Sequence, residues 1–276
     1  MTHTSKTIIF FGTDDFSAVT LRELIEKGFT IGAVVTKPDS QKGRGRNLQK
    51  PITKEIAEEH GIAVWQPVKV NEITENIQQL TTELGEKPVG ILVSYGKIIP
   101  QSVIDLFAPG IINVHPSLLP KYRGPSPVET AVLNGDTETG VTIMQLSAAM
   151  DAGPIYSQVT VQLNDTETGP QLREQLAALG AQEISVLLPR ITSGALTPTP
   201  QDDESATYCR LFTKEDAQLD LAAVSAEQAE RHVRAHLGFP KTKVTIAGHQ
   251  VVITQAHVTN PGDPFEPTAL DLTCAD

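Results

Sequence analysis

Short apolar runs at Thr7–Phe11, Thr30–Thr36, Ile62–Trp65 and Pro88–Ser94, and a fifth around Ile111-Ile112, are separated by longer polar stretches along the first part of the chain. Each has the length of a strand, and the unbroken apolar character of Pro88–Ser94 predicts a central strand covered on both faces. Helical signals fall between them. Asp14 or Asp15 can cap a helix running to Lys27, with Gly28 as its stop. Pro51 suits the first position of a helix over Ile52–Glu59 that Gly61 closes, and Asn71–Leu84 predicts another. Strand, helix and strand at this spacing imply right-handed parallel crossovers. The expected fold class is therefore α/β, with a doubly wound, mostly parallel sheet.

Beyond residue 120 the pattern predicts a helix over Ser126–Asn134, strands over Gly140–Leu146 and Ile155–Leu163, and a long helix over Glu167–Leu188. Thr192–Ala206, TSGALTPTPQDDESA, has prolines, small residues and three acids without apolar periodicity, and reads as a linker. A helix over Ser225–Leu237 follows, with Ser225 and Gln228 spaced as a capping box. Lys243–Ile246 and Gln250–His257 then suit a hairpin around Gly248-His249. The expected division is a large domain over 1–191, a linker over 192–206 and a small β-rich domain over 207–276.

Composition narrows the function classes. The chain has 276 residues, 39% hydrophobic and 20% charged, as in ordinary water-soluble domains. No stretch approaches the roughly 18 apolar residues of a spanning helix, and the polar Met1–Lys6 suggests a cytoplasmic protein. A net charge of −11 argues against indiscriminate coating of nucleic acid, although it leaves room for a local basic site. Cys209 and Cys274 lack metal-ligand spacing and disulfide density. His232 and His236 lie four apart, but no third ligand or intervening general-base Glu accompanies them, so a solvated face beside Arg231 and Arg234 is expected. Those arginines offer a second reading, contact with an RNA backbone. No Gly-x-Gly-x-x-Gly follows the first strand, which counts against a dinucleotide-binding dehydrogenase.

The basic site sits at Lys37–Lys50, KPDSQKGRGRNLQK. Here Lys37, Lys42, Arg44, Arg46 and Lys50 face the single acid Asp39, and Gly43 and Gly45 relax the backbone between them. Arginine forks match phosphate oxygens, so the stretch is either a solvated loop or a phosphate contact.

The candidate chemistry lies in Gly110–Pro154. Asn113 and His115, two apart at the end of an apolar run, point the same way on an extended chain. Asp151 follows the next strand in an Asp-Ala-Gly-Pro turn, and open α/β sheets bind ligands at such strand ends. Singly, an Asn, His or Asp there can also serve a turn.

Taken together, Asn113-Val114-His115, Ser117-Leu118-Leu119-Pro120, Arg123-Gly124 and Met150-Asp151-Ala152-Gly153-Pro154 resemble the signature of the folate-dependent formyltransferases. Phe11-Gly12-Thr13-Asp14-Asp15-Phe16 and Ser94-Tyr95-Gly96-Lys97-Ile98-Ile99-Pro100 are similar to that family too, in the same order. The resemblance implies a Rossmann-like catalytic domain in which Asn113, His115 and Asp151 are the catalytic residues and no metal takes part. It places 10-formyltetrahydrofolate along Ser117, Leu118, Leu119 and Pro120 and the backbone of Leu92, Ser94, Tyr95 and Gly96.

Pro38–Leu48 resembles the tRNA-contacting loop of those family members that formylate methionyl-tRNA. By that resemblance Lys42, Gly43, Arg44, Gly45 and Arg46 contact tRNA, residues 207–276 form an OB-like tRNA-binding domain, and the acceptor is the methionine of initiator tRNA, bound by a monomer. A sugar-nucleotide N-formyltransferase and a formyltetrahydrofolate hydrolase are the alternatives. Three departures stand out. Pro116 follows the histidine where small residues are usual, Pro125-Ser126-Pro127 follows Gly124, and the chain ends soon after His257, so that the OB-like barrel is expected to be shortened or the sequence to be a piece of a longer protein.

Overall fold

A computed structural model describes residues 6–42, 47–259, 272 and 274. The chain opens with β1 (Ile8–Gly12), whose residues are all buried, followed by α1 (Asp15–Glu26) and β2 (Ile31–Val35). The Asp14 carboxylate caps α1 by accepting from the Ser17 N–H. Two short strands, β3 (Ser40–Lys42) and β4 (Asn47–Gln49), pair antiparallel before α2 (Ile52–Glu59) and β5 (Ala63–Trp65). Pro51 is the cap of α2 rather than its first helical residue, because its ψ of 140° is extended. A 3₁₀ turn over Val70–Ile73 then leads into α3 (Thr74–Leu84), so the helix expected from Asn71 starts on a tighter winding.

Next come β6 (Val89–Val93), the single turn α4 (Gln101–Ile104), β7 (Ile111–His115), α5 (Pro127–Asn134), β8 (Glu138–Gln145) and β9 (Ile155–Gln162). Pro127 takes the first helical position of α5, where its missing N–H has no partner to lose. The chain continues through α6 (Gly169–Thr192), α7 (Ala226–His236) and the hairpin β10 (Thr242–Ile246) and β11 (His249–Ile253). Among the described residues no helix is long and apolar enough to cross a membrane.

The main sheet runs β5-β2-β1-β6-β7-β8-β9. It is parallel from β5 to β7, and β8 returns antiparallel to β7. This is the mostly parallel, Rossmann-like sheet anticipated from the alternation of apolar runs and helices. Strand order reverses between β1 and β6, which places the ligand-binding crevice of such a sheet beyond Gly12 and Val93.

The described chain separates into two compact units. The first comprises Met1–Arg123, Gly140–Thr160 and Glu174–Thr207. Its core on one sheet face gathers Ile9, Phe11, Val35, Ile77, Tyr95 and Phe107, with the Phe11 ring edge-on to Tyr95 at 5.7 Å and to Phe107 at 5.8 Å. On α6, Gly180 permits close approach to the strands, since a Cβ there would meet Val114 Cγ1 at 2.5 Å. The helix thereby backs the strand that carries Asn113 and His115.

The second unit comprises Gly124–Thr139, Val161–Arg173 and Tyr208–Asp276. Here α5 packs on α7, and Leu219, Ala229 and Val244 form a small core. The capping box of Ser225 and Gln228 is formed. Arg231 and Arg234 both reach Asp165, at 2.7 and 2.6 Å, and Arg234 also pairs with Glu230, so these arginines are engaged within the unit. The one strand pair described in this unit is β10–β11.

The two histidines of α7 do not form a solvated face. His236 is only 2% exposed, and its ring packs edge-on to Phe212 at 4.8 Å and His232 at 4.3 Å. Neither of its ring nitrogens has a hydrogen-bond partner among the described residues. Burial, with His232 adding to it, pushes its pKa down to about 4; Asp216 opposes the shift weakly and Arg210 adds slightly. In the unfolded chain the ring titrates near its ordinary value of about 6.5, so between those limits the unfolded state binds more protons than the folded one. Stability contributed by the neutral ring is therefore complete above about pH 6.5 and falls as the pH drops toward 4. His236→Leu should flatten the pH dependence of unfolding across that window, measured by denaturant titration at successive pH values. An unchanged slope would show that other groups control the acid response.

Candidate active site

Asn113 and His115 lie on β7 between β6 and β8, with Leu92 opposite Asn113 on one side and Thr142 opposite His115 on the other. Each is 5% exposed. Two-residue spacing turns both side chains to one face, where a carboxylate meets them. Asn113 Nδ2 donates to Asp151 Oδ1 at 3.4 Å, and His115 Nδ1 is 3.8 Å from Asp151 Oδ2. On its other side, His115 Nε2 lies 3.0 Å from the carbonyl oxygen of Tyr122. A carbonyl can only accept, which places a proton on Nε2 and leaves Nδ1 turned toward the carboxylate. The structure thus brings the three sequence-predicted residues into one cluster.

The loop after His115 is held to the strand. Ser117 N–H donates to the His115 carbonyl at 3.0 Å, closing a three-residue turn with Pro116 at its centre. Proline has no N–H to leave unpaired there and its fixed φ suits the turn, which accounts for a bulky ring beside the histidine. Ser117 Oγ donates to the Lys121 carbonyl at 2.6 Å. The buried Thr142 hydroxyl joins the loop to β8 by donating to the Ser117 carbonyl at 2.6 Å and accepting from Leu119 N–H at 3.1 Å. Gln158 donates to the Leu119 carbonyl at 2.8 Å. Leu118 and Pro120 remain half-buried.

The stretch read as a linker, together with Thr207 just beyond it, takes part in this site. Thr207 donates its N–H to the Pro120 carbonyl at 3.1 Å, while its hydroxyl accepts from Tyr122 N–H at 2.9 Å and its carbonyl from Arg123 N–H at 2.9 Å. Gln201 donates to the carbonyls of Asp151 and Gly153. Sequence reasoning missed Gln201, Thr207, Thr142 and the Tyr122 carbonyl. For Gln201 only the polarity of the 192–206 segment could have served as a signal, since polar side chains that serve backbone carbonyls carry no periodicity.

The other predicted cofactor-binding residues line the strand ends at the reversal of sheet order. Leu92 is half-buried at the end of β6, and Ser94 and Gly96 are exposed with left-handed backbones, φ 47° and 72°. Ser94 Oγ donates to Asp14 Oδ2 at 2.6 Å, and Thr13 Oγ1 donates to the Tyr95 carbonyl at 3.2 Å, which ties the loops after β1 and β6 together. The Lys37 amino group fills the space beside Gly96 where a side chain would stand. Tyr95 itself is wholly buried, and burial pushes its phenol up to about 12. Exposed backbone beside half-buried apolar side chains is a setting that fits a flat polar heterocycle.

Of the predicted tRNA contacts, Gly43, Arg44, Gly45 and Arg46 lie outside the described residues, and Lys42 ends β3. The base of this basic stretch is anchored. Lys54 Nζ meets both Asp39 oxygens at 2.9 Å, and Gln66 donates to Asp39 at 2.7 Å and to the Lys37 carbonyl at 2.9 Å. Those bonds, from Gln66 first and Lys54 second, hold the Asp39 carboxyl below the usual carboxylate range. Among the described residues no group of three or more His, Cys, Asp or Glu side chains could hold a metal ion.

Residues 5–188 match the family model described as formyl transferase. A methionyl-tRNA formyltransferase of Geobacillus sp. (strain WCH70) is 42% identical over 88% of this chain and 75% of its own length. One from Geobacter metallireducens is 39% identical over 93% of this chain and 82% of its own length. Among solved structures, an N-formyltransferase from Helicobacter canadensis in complex with folinic acid and dTDP-3-aminofucose superposes with a TM-score of 0.70. It is 18% identical, over 94% of this chain and 90% of that one, a likeness that speaks for the fold alone. With a family model over most of its length and relatives at about two-fifths identity named for one activity, the chain belongs to the formyl transferase family, among its methionyl-tRNA formyltransferases.

Proposed function

We propose that the protein transfers the formyl group of 10-formyltetrahydrofolate to the α-amino group of methionine on initiator tRNA, in the cytoplasm. The observation that carries this reading is the meeting of the Asp151 carboxylate with Asn113 at 3.4 Å and His115 at 3.8 Å, in a chain 42% identical to a methionyl-tRNA formyltransferase. The methionine amine attacks the formyl carbon, a new C–N bond forms, and the bond from that carbon to the folate nitrogen breaks. One proton leaves the attacking nitrogen and one arrives on the departing nitrogen. No oxidant, reductant or covalent formyl-enzyme is required.

Two demands fall on the protein, and the cluster can meet both. Negative charge collects on the formyl oxygen as the carbon becomes tetrahedral. Asn113 donates one amide hydrogen toward Asp151, and its second can serve that oxygen without reorganising. His115 takes the proton from the amine on the nitrogen facing Asp151, because its other nitrogen is committed to the Tyr122 carbonyl. Asp151 orients both partners and balances the charge that the imidazole acquires. Folate lies along Leu92, Ser94–Gly96 and Ser117–Pro120, and the Lys42–Arg46 stretch together with residues 207–276 receives the tRNA.

Formyl transfer to methionyl initiator tRNA, with 10-formyltetrahydrofolate as donor, is the direct assay. Asn113→Ala and His115→Ala should each lower kcat by at least about 10², as for groups that act in the transition state, with cooperative unfolding retained. Near-normal rates in either variant would remove that residue from the mechanism, and transfer to an amino-sugar nucleotide in place of tRNA would overturn the acceptor. Arg44→Ala should raise KM for methionyl-tRNA about tenfold, the loss expected of one charge-assisted hydrogen bond, while folate binding stays unchanged. Unaltered kinetics at low salt would make the basic stretch a bystander.

A further inference from the structure

Gln201 engages every hydrogen-bonding position of its side chain around the Asp151 turn. Nε2 donates to the carbonyls of Asp151 at 2.8 Å and Gly153 at 2.7 Å, and Oε1 accepts from Arg123 Nε at 3.1 Å and Nη2 at 2.8 Å. Turning the amide over would set its oxygen against two carbonyl oxygens and its NH₂ against a guanidinium, so the network leaves one orientation. Arg123 is itself 3% exposed and held by Asp203 at 2.6 Å. The two carbonyls flank Ala152, in a turn where Asp151 has a left-handed backbone, φ 48°. A residue with a Cβ rarely adopts that conformation unless its surroundings impose it.

We propose that Gln201 is a positioning residue for the transfer reaction: by holding the carbonyls of Asp151 and Gly153 it fixes the turn that aims the Asp151 carboxylate at Asn113 and His115. The chemistry assigned to that carboxylate rests on the reading of function given above, whereas the placement of the turn by Gln201 does not. Gln201 is separated from the reacting atoms by the Asp151 main chain, so its effect must appear through Asp151. A group that served folding alone would act on stability in any background, whereas a group that aims a carboxylate loses its effect once the carboxylate's charge is gone.

The glutamate variant separates these cases. Gln201→Glu keeps an oxygen for Arg123 but sets an acceptor against two carbonyl oxygens. It should lower kcat by about 10- to 10²-fold, the scale of a small misplacement in a site, while KM for folate and for methionyl-tRNA stays within about twofold. In an Asp151→Asn background, which keeps the shape and removes the charge, the same change should cost less than about threefold, since effects of coupled groups do not add. Wild-type kcat in Gln201→Glu, a loss confined to KM, or an equal loss in both backgrounds would overturn the proposal. Gln201→Met carries the same comparison if the glutamate variant does not fold.

A crystal structure of Gln201→Met reads the placement without reference to activity. Separation of Asp151 Oδ1 from Asn113 Nδ2 beyond 3.4 Å supports the role of Gln201, and an unmoved carboxylate overturns it. Wild-type protein that fails to formylate methionyl-tRNA would count against the function, and that structure would still decide what Gln201 does.

Discussion

The requirement that most of this site answers is the burial of two polar side chains in the middle of a sheet. Asn113 and His115 occupy a strand flanked on both sides, at 5% exposure each, where an unpaired amide or imidazole is costly. Neither β6 nor β8 offers a partner, because ladder positions there present Leu92, Met144 and Thr142, and the Thr142 hydroxyl is already committed to Ser117 and Leu119. Partners must come from loops. Asp151 and the Tyr122 carbonyl supply them, and the two loops that carry these groups must therefore be held in place.

How they are held explains why 192–207 packs as it does. Tyr122 can offer its carbonyl to His115 only if its peptide is fixed, and Thr207 fixes it through bonds to the neighbouring N–H groups and to Pro120. Arg123 and Gln201 couple the same segment to the Asp151 turn. One stretch thus secures both partners of His115, and a displacement of either loop is opposed at the other. Thr199 adds a bridge to Ile155, at the start of β9, which keeps the stretch in register with the sheet.

Legibility in the sequence followed the kind of interaction involved. Strands β1, β2, β6 and β7 were readable because burial on two faces demands continuous apolar runs, and α7 because Ser225 and Gln228 form their reciprocal cap. Asn113, His115 and Asp151 were identifiable as an ordered set, although what brings them together was not. The Gln201 bonds leave no trace in periodicity, since one side chain serves backbone carbonyls some fifty positions away. Arg231, Arg234 and His236 were misjudged for a related reason. A helix rich in charge looks solvated, yet Asp165 from a distant loop pairs with both arginines, Glu230 adds a second carboxylate for Arg234, and the apolar contact of His236 is made with Phe212.

The same logic bears on the basic stretch. Its arginines can deliver charge to a ligand only if the segment leaves the body of the protein in a defined place, because each residue ordered on binding costs conformational entropy. Both ends are fixed before any ligand arrives: Asp39 is clasped by Lys54 and Gln66 at one end, and Lys50 pairs with Glu58 on α2 at 2.7 Å at the other. Lys50 is thus paired internally and Lys54, beyond the stretch, answers its one acid, so by sequence the other cations of Lys37–Lys50 are Lys37, Lys42, Arg44 and Arg46. In a protein of net charge −11, the tRNA contact proposed above depends on such a local cluster, because attraction to a polyanion follows where basic groups gather rather than their overall sum.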